Sequence, residues 1–369
     1  MFQNKSVESG EARGSAGLTR LGSDEAVLRR RLREWYTGHR RSLPWRETSD
    51  PYAIWVSEIL LQQTRVATVI ERYGEFLERF PTVCALAEAT EAEVLTAWSG
   101  LGYYRRARML HRAAREVCAR HGGVVPGSAA ALRELPGIGR YTAAAIASIA
   151  FGEAVAAVDG NVERVVLRLA GAGLSTASEV GRRAQAEADR LLDCAAPGEW
   201  NQAMMELGAT VCLPRGPRCE ACPWVEVCRT RGEHPVRKRA AMRAEALSLA
   251  WVVRRRPTRE PVERVWLVQR DERESVMPLM WELPETDGAS GEPVLRLRHA
   301  IMQVNYEVAI FAVEATAMAR RSRQRREQWV TAEEAGRMPL TGLTRKVMQR
   351  LGWLPAGGGR RAKPDGVPR

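Results

Sequence analysis

Cys212, Cys219, Cys222 and Cys228 crowd into one short stretch with the spacing C-x6-C-x2-C-x5-C. Four thiolates in one loop can enclose a tetrahedral zinc ion or a cubane iron–sulfur cluster, and either would dictate how this part of the chain folds. Structural zinc motifs more often pair two C-x2-C knuckles, and only one is present here. Ligand chemistry alone leaves both metals open. The chain has seven cysteines, of which Cys84, Cys118 and Cys194 are scattered on helix-like segments. An odd count with one tight cluster points to a metal site in a reducing compartment rather than a disulfide framework. Between the first two ligands, Leu213-Pro214-Arg215-Gly216-Pro217-Arg218 carries two arginines, and a basic loop held rigid by a metal suits phosphate.

The charge balance agrees. Lys+Arg number 56 against 44 Asp+Glu, a formal net charge of +12 over 369 residues. That surplus favours a polyanionic partner, usually nucleic acid. The cations are almost all arginine, because Lys5, Lys238, Lys346 and Lys363 are the only lysines. The N-terminal stretch has no apolar signal segment. The longest apolar run, Ala143 to Phe151, is too short to span a bilayer, so no membrane association is expected.

Apolar spacing is helical from residue 24 to 210, broken at Leu43-Pro44, Gly100-Leu101-Gly102, Gly122-Gly123, Pro136-Gly137, Gly152 and Pro197-Gly198, which predicts about ten short helices. The cysteine loop spans 211–230 and an Arg/Glu-dense linker 231–247. A smaller α/β domain is expected over 248–354, with strands in Leu247 to Val253, Val262 to Gln269 and Val304 to Ala315. Residues 1–23 and 355–369 are expected to be disordered tails.

Leu135-Pro136-Gly137-Ile138-Gly139-Arg140-Tyr141-Thr142 lies between two helical segments. Gly137 and Gly139 permit a tight turn and close approach to a ligand. Amides at the following helix N-terminus can bind a phosphate without reading sequence, while Leu135 and Ile138 anchor the turn. Two carboxylates stand out. Asp159 ends an apolar stretch and opens a helix, as an N-cap or as a carboxylate kept ionised by the helix N-terminus. Glu58 follows the helix start Asp50-Pro51 among Ile54, Trp55, Ile59 and Leu61, surroundings that would raise its pKa. One protonated and one ionised carboxyl suit cleavage of an N-glycosidic bond: the acid protonates the leaving group and the anion supports the sugar cation.

Taken together these residues resemble the helix-hairpin-helix DNA glycosylases, specifically the adenine DNA glycosylase (MutY) family. The resemblance rests on Leu43-Pro44-Trp45-Arg46, Val56-Ser57-Glu58 through Gln62-Gln63-Thr64, Gly100-Leu101-Gly102-Tyr103-Tyr104, Leu135-Pro136-Gly137-Ile138-Gly139, Val158-Asp159-Gly160-Asn161, Asn201 through Gly208 and the cysteines, in order over roughly residues 25–230. It implies a mainly α helix-hairpin-helix domain with a [4Fe–4S] cluster on the four cysteines, followed by a smaller α/β domain. Glu58 then resembles the general acid that protonates adenine N7 and handles the attacking water. Asp159 resembles the carboxylate that stabilises the sugar cation, Asn161 the partner that orients it, and Tyr141 a side chain near both acids. Gln62, Gln63, Thr64 and Tyr103 resemble residues at the DNA stack, Gln63 and Tyr103 being those inserted as the base flips out. Trp45-Arg46 resembles a wall of the adenine pocket.

The related endonuclease III type carries a Schiff-base lysine where this chain has Tyr141, and no lysine lies between Lys5 and Lys238. The expectation is a monofunctional glycosylase acting on adenine opposite 8-oxoguanine or guanine in double-stranded DNA, monomeric, cytoplasmic and nucleoid-associated. The C-terminal part resembles the family's Nudix-like domain at Met277-Pro278-Leu279-Met280-Trp281-Glu282-Leu283-Pro284, without a Nudix hydrolase box. Where the family commonly has His-x-Phe-Ser-His to read 8-oxoguanine, this chain has His299-Ala300-Ile301-Met302-Gln303. Met302 brings no hydroxyl, while Gln303 keeps an amide donor. Altered discrimination of the opposite base is therefore expected; the alternatives are a related glycosylase of other opposite-base specificity or a non-catalytic iron–sulfur DNA-binding protein.

Overall fold

A computed structural model describes residues 22–171, 177–232, 242–255, 262–274, 276–287, 291–314 and 326–355. Eleven helices precede the first strand among these residues: α1 (Gly22–His39), α2 (Pro51–Leu61), α3 (Val66–Arg79), α4 (Val83–Glu88), α5 (Glu91–Ala97), α6 (Arg105–His121), α7 (Ala129–Leu132), α8 (Arg140–Phe151), α9 (Gly160–Ala170), α10 (Ala177–Leu191) and α11 (Pro197–Thr210). Side-chain caps set several starts: Thr82 accepts from Ala85 N, Ser128 from Ala131 N, and Thr90 forms a reciprocal capping box with Glu93. Among the described residues no helix is long and apolar enough to cross a membrane.

The chain divides into two compact units that interleave in sequence. One comprises Met1–Trp55, Gly127–Glu134 and Ile138–Val236; the other comprises Val56–Pro126, Leu135–Gly137 and Arg237–Arg369.

In the first unit α1, α9, α10 and α11 close on a core of Leu32, Tyr36, Val166, Leu191, Trp200, Leu207 and Trp224. α11 passes unusually close to its neighbours. A Cβ on Gly198 would meet the Ser148 carbonyl oxygen of α8 at 2.7 Å, and one on Gly208 would meet the Asn161 Cβ of α9 at 2.6 Å. Small residues on α8 help: Ala143, Ala144, Ala145 and Ala147 are all buried.

The second unit joins the end of α2 and helices α3–α6 to the strand-bearing segment. The sequence-expected division, 24–210 against 248–354, does not follow these units. The physical reason is a set of bonds from α5 and α6 to the C-terminal part. The buried Tyr104 hydroxyl donates to Leu340 O at 3.3 Å, Thr96 Oγ1 donates to Arg337 O at 3.0 Å, and Arg108 donates to Pro278 O. Cys84 on α4 and Cys118 on α6, scattered in sequence, lie with sulfurs 2.7 Å apart.

Two sheets form the C-terminal part. β1 (Arg243–Trp251) runs parallel to β6 (Val304–Ala312), which pairs antiparallel with β5 (Leu295–Ile301). β3 (Glu263–Gln269) pairs antiparallel with β2 (Val253–Arg255), β4 (Trp281–Glu282) and β7 (Glu327–Val330). Leu249, Val265, Leu267, Ile310 and Val330 pack with Val347 and Met348 of α13 (Gly342–Arg350), which follows α12 (Ala332–Gly336). The three expected strand regions are present.

One boundary needs correction. β1 begins at Arg243, inside the stretch read as a linker. Arg243 to Ala246 are exposed even while paired with β6, so their polar composition looks like a connection. Residues 233–241 of that linker, and the expected tails apart from 22, 23 and 355, lie outside the described residues.

Substituting Gly198→Ala forces α11 off α8, because the obstructing atoms are backbone. A destabilisation of about 2 kcal/mol is expected, read as a lower denaturant midpoint with an unchanged slope.

Candidate active site

Asp159 caps α9. Its Oδ1 accepts from Asn161 N at 2.9 Å and Val162 N at 2.8 Å, and its Oδ2 accepts from Asn161 Nδ2 at 2.8 Å. Both oxygens are therefore held, and the carboxylate sits at the positive end of a helix. Asn161 is fixed in turn: Arg164 Nη2 donates to its Oδ1 at 2.9 Å and to Gly208 O at 2.7 Å, while Arg164 Nε donates to Cys212 O at 2.7 Å. The cap reading and the functional reading of Asp159 thus describe the same geometry. One turn of helix ties the aspartate to α11 and to the first cysteine of the loop.

Asn201, buried on α11, fixes the segment that leads into Asp159. It accepts from Ala157 N at 3.0 Å and donates to Val155 O at 2.9 Å and Ser148 Oγ at 2.8 Å. Tyr141, on the first turn of α8, donates its hydroxyl to Met205 Sδ at 3.0 Å. Trp45 is buried. Arg46 turns to Glu206, donating to Oε2 at 2.8 Å, and stacks 5.6 Å from the Tyr36 ring. Arg41 completes the pair with bonds of 2.7 Å to both Glu206 oxygens. The Glu206 side chain is fully buried. Burial opposes its ionisation, but the bonds from Arg41 and Arg46 outweigh that and hold its pKa at about 2. Arg46, expected as a pocket wall, is one of the two arginines that pair with the buried Glu206.

Glu58 belongs to the second unit. Asp50 caps α2 by accepting from Tyr52 N and Ala53 N at 3.1 and 3.3 Å, with Pro51 at the first helical position. Every residue from Tyr52 to Leu60 is buried, Glu58 at 6% exposure among them. The apolar setting expected for this carboxyl is present. α2 ends in the turn Gln62-Gln63-Thr64, where Gln63 is exposed with φ 57°. Tyr103, 47% exposed, adopts φ 47° in the turn before α6. These are the two residues expected at the base stack, and both stand on backbone that a bulky side chain rarely occupies.

In the hairpin, Leu135 and Ile138 are buried. Gly137 has φ 78°, and a Cβ there would lie 2.5 Å from the Met109 Cβ, so no other residue fits. Gly139 caps α8 without a side chain. In the C-terminal part, Met302 and Gln303 form an exposed two-residue turn between β5 and β6, with Met302 at φ 55°. His299 and Ile301 alternate onto the half-buried face of β5. Burial, and next the charge of Lys346, keep the His299 pKa below its usual value.

All four cysteines of the cluster line one cavity, together with Arg168, Val211, Pro217, Val225, Arg231 and Gly232. Among the described residues no three Cys, His, Asp or Glu side chains converge tightly enough to hold a single metal ion. Arg168 is 3% exposed. It donates to Leu213 O at 2.7 Å and Pro214 O at 3.1 Å, lies 3.4 Å from Cys212 Sγ, and leaves its Nε without a partner. A buried cation in the wall of the cavity that the four cysteines line favours an anionic occupant. Trp224, buried and donating to Leu28 O at 3.0 Å, anchors the loop. Arg215 and Arg218 are exposed on it. Sequence reasoning missed the roles of Arg164 and Glu206: in so arginine-rich a chain Arg164 looks like another surface cation, and Glu206 looks like an ordinary helix-face carboxylate.

The model of the HhH-GPD superfamily base excision DNA repair proteins matches residues 56–188. A curated adenine DNA glycosylase of Rattus norvegicus is 49% identical over 217 residues, covering 56% of this chain and 42% of the relative. That of Mycolicibacterium smegmatis is 43% identical over 201 residues, covering 54% of this chain and 68% of the relative. The chain thus spans about two fifths of its mammalian relatives' length. A solved thermostable thymine-DNA glycosylase superposes with TM-score 0.53 at 30% identity, over 57% of this chain and 97% of that one.

Glu206→Gln leaves two guanidinium groups around an uncharged amide, and is expected to cost about 3 kcal/mol. A carboxylate with a depressed folded pKa stabilises fully above its unfolded value near 4.5; that contribution is lost as pH falls toward 2. Acid unfolding followed by circular dichroism between those limits should be steeper for the parent than for the variant.

Proposed function

The chain belongs to the adenine DNA glycosylase family, and on that premise we propose that it hydrolyses the N-glycosidic bond of adenine mispaired with 8-oxoguanine or guanine in duplex DNA. The observation that carries this is the Asp159 constellation. A carboxylate accepting three hydrogen bonds at a helix N-terminus need not reorganise when charge develops on a sugar. Glu58, buried in an apolar helix, supplies the proton to adenine N7. The C1′–N9 bond then breaks with its electron pair going to the base. Asp159 stabilises the resulting sugar cation, and water adds at C1′ as its proton passes back to Glu58. Asn161 keeps the Asp159 carboxylate aimed, and Gln63 and Tyr103 fill the stack that adenine leaves.

The same chemistry limits the product. Tyr141 occupies the place of a Schiff-base lysine, its hydroxyl bonded to Met205. An amine is required to form an imine with the opened sugar, so the abasic strand stays intact. The partner is double-stranded DNA, met through a surplus of arginine by a monomer that works in the cytoplasm at the nucleoid.

Cys212, Cys219, Cys222 and Cys228 would hold a [4Fe–4S] cluster. The four cysteines line one cavity, the resemblance to the adenine DNA glycosylases favours iron over zinc there, and Arg168 offsets the negative charge. The cluster's contribution would be to fix the loop carrying Arg215 and Arg218 for phosphate contact. The C-terminal part acts as a Nudix-like reader of the opposite base, with Met302 and Gln303 at its exposed tip. Apolar Met302 favours stacking over a hydroxyl bond, so preference for 8-oxoguanine over guanine is reduced.

Incubating the purified chain with duplexes carrying adenine opposite 8-oxoguanine or guanine should give strand breaks only after alkali, at rates closer together than the family norm. Glu58→Gln should bind both duplexes and release no base. Turnover by that variant, or breaks before alkali, would refute the assignment. The cluster is checked separately: protein isolated without oxygen should absorb broadly near 400 nm and carry iron, and Cys219→Ser should lose both.

A further inference from the structure

Arg106 has no role in the mechanism above, yet few side chains in the second unit are more heavily engaged. It sits in the first turn of α6, at the positive end of its own helix dipole, where a cation is disfavoured. Its guanidinium turns away from that helix to the carbonyl end of α2. Nη1 donates to Ile59 O at 2.7 Å and to Leu60 O at 3.0 Å. Nη2 donates to Thr64 Oγ1 at 3.1 Å, and to Leu101 O and Gly102 O at 3.2 Å each. None of these partners is acidic. The guanidinium carbon lies 5.2 Å from the Trp98 ring centroid and 5.7 Å from that of Tyr103. Burial lowers its pKa to about 10, so it stays charged at neutral pH. Trp98 closes the same turn by donating Nε1 to Gly102 O at 3.0 Å.

Two of those five bonds hold the last carbonyls of α2 and a third holds Thr64 in the turn that follows it; the other two hold the Gly100–Tyr103 turn, so Arg106 joins two turns. One carries Gln63 at its apex and the other Tyr103, and these are two of the few described non-glycine residues in left-handed backbone. Each such residue costs about 1 kcal/mol or more and persists only where its surroundings over-determine it. A planar fork reaching two strained turns at once does what a lysine, with three donors on one point, cannot.

We propose that Arg106 is a positioning residue that locks the Gln63 and Tyr103 turns into one rigid two-pronged wedge, so that it governs extrusion of the adenine and not affinity for the DNA backbone. This rests on reading Gln63 and Tyr103 as the residues that enter the base stack. Arg106 touches no reacting atom; it acts through the two turns that it joins.

The test is made in full-length Glu58→Gln protein, which holds DNA without cutting it. The probe is a duplex with 2-aminopurine beside an adenine opposite 8-oxoguanine, whose fluorescence rises as stacking is lost. Arg106→Lys should bind undamaged duplex within twofold of the parent while extrusion falls at least about tenfold, the scale set by small misplacements of a working group. In protein with Glu58 restored, the single-turnover rate of base release should fall in parallel. Normal extrusion, or equal losses in duplex affinity and extrusion, would overturn the proposal. Should Arg106→Lys melt early, Thr64→Val removes one bond and leaves the guanidinium packed; it should show a smaller loss of the same kind, and none would be equally fatal. Gln63→Ala and Tyr103→Ala separate the two ideas. If they extrude normally the wedge reading itself fails; if they do not while Arg106→Lys does, only the role of Arg106 fails.

Discussion

The hydrogen-bonded cap of α9 is the interaction on which the proposed chemistry depends. A carboxylate on a short side chain rotates freely unless both of its oxygens are occupied, and at Asp159 two backbone amides and one side-chain amide occupy them. The backbone amides are the ones any helix leaves unsatisfied at its start. The third donor is less ordinary, because the Asn161 amide is itself held by Arg164 against the Gly208 and Cys212 carbonyls. Orientation of one anion thereby becomes a property of how three segments pack.

α11 is the common member of those segments. Gly198 lets it reach α8, Asn201 ties down the approach to Asp159, Glu206 neutralises Arg41 and Arg46, and Gly208 admits α9. Four residues on one helix serve four different neighbours, and only two of them are polar. Tight packing and buried polar bonds are used together here. Either alone would leave α9 free to slide by the fraction of an ångström that matters at a reacting centre.

Most of what was legible in the sequence was local. The hairpin, the α9 cap and the cysteine loop are each written in a handful of consecutive residues whose backbone needs are specific, such as Gly137 pressed against Met109. What could not be read was non-local. Arg46 meets Glu206 across 160 positions, and nothing near either residue announces the other. Arg106 is one arginine in a run of arginines, and only three-dimensional contact separates it from its exposed neighbour Arg105. The start of β1 failed for the same reason: its exposed, charged first residues are strand only because β6 lies alongside. The pairing of Cys84 with Cys118 likewise depends on how α4 crosses α6. The grouping of α3–α6 with the strand-bearing part hangs on single bonds such as Tyr104 to Leu340, which leave no periodic trace.

The tip of the β5–β6 hairpin carries its own consequence. Ile301 pairs with Val304, so the turn is two residues long, and its side chains project beyond the sheet. Exchanging either one alters no strand register and no core contact. Under the proposed function, recognition of the base across the helix can therefore drift by single substitutions that leave the Asp159 cap untouched, and Met302 stands as one sample from that permitted range.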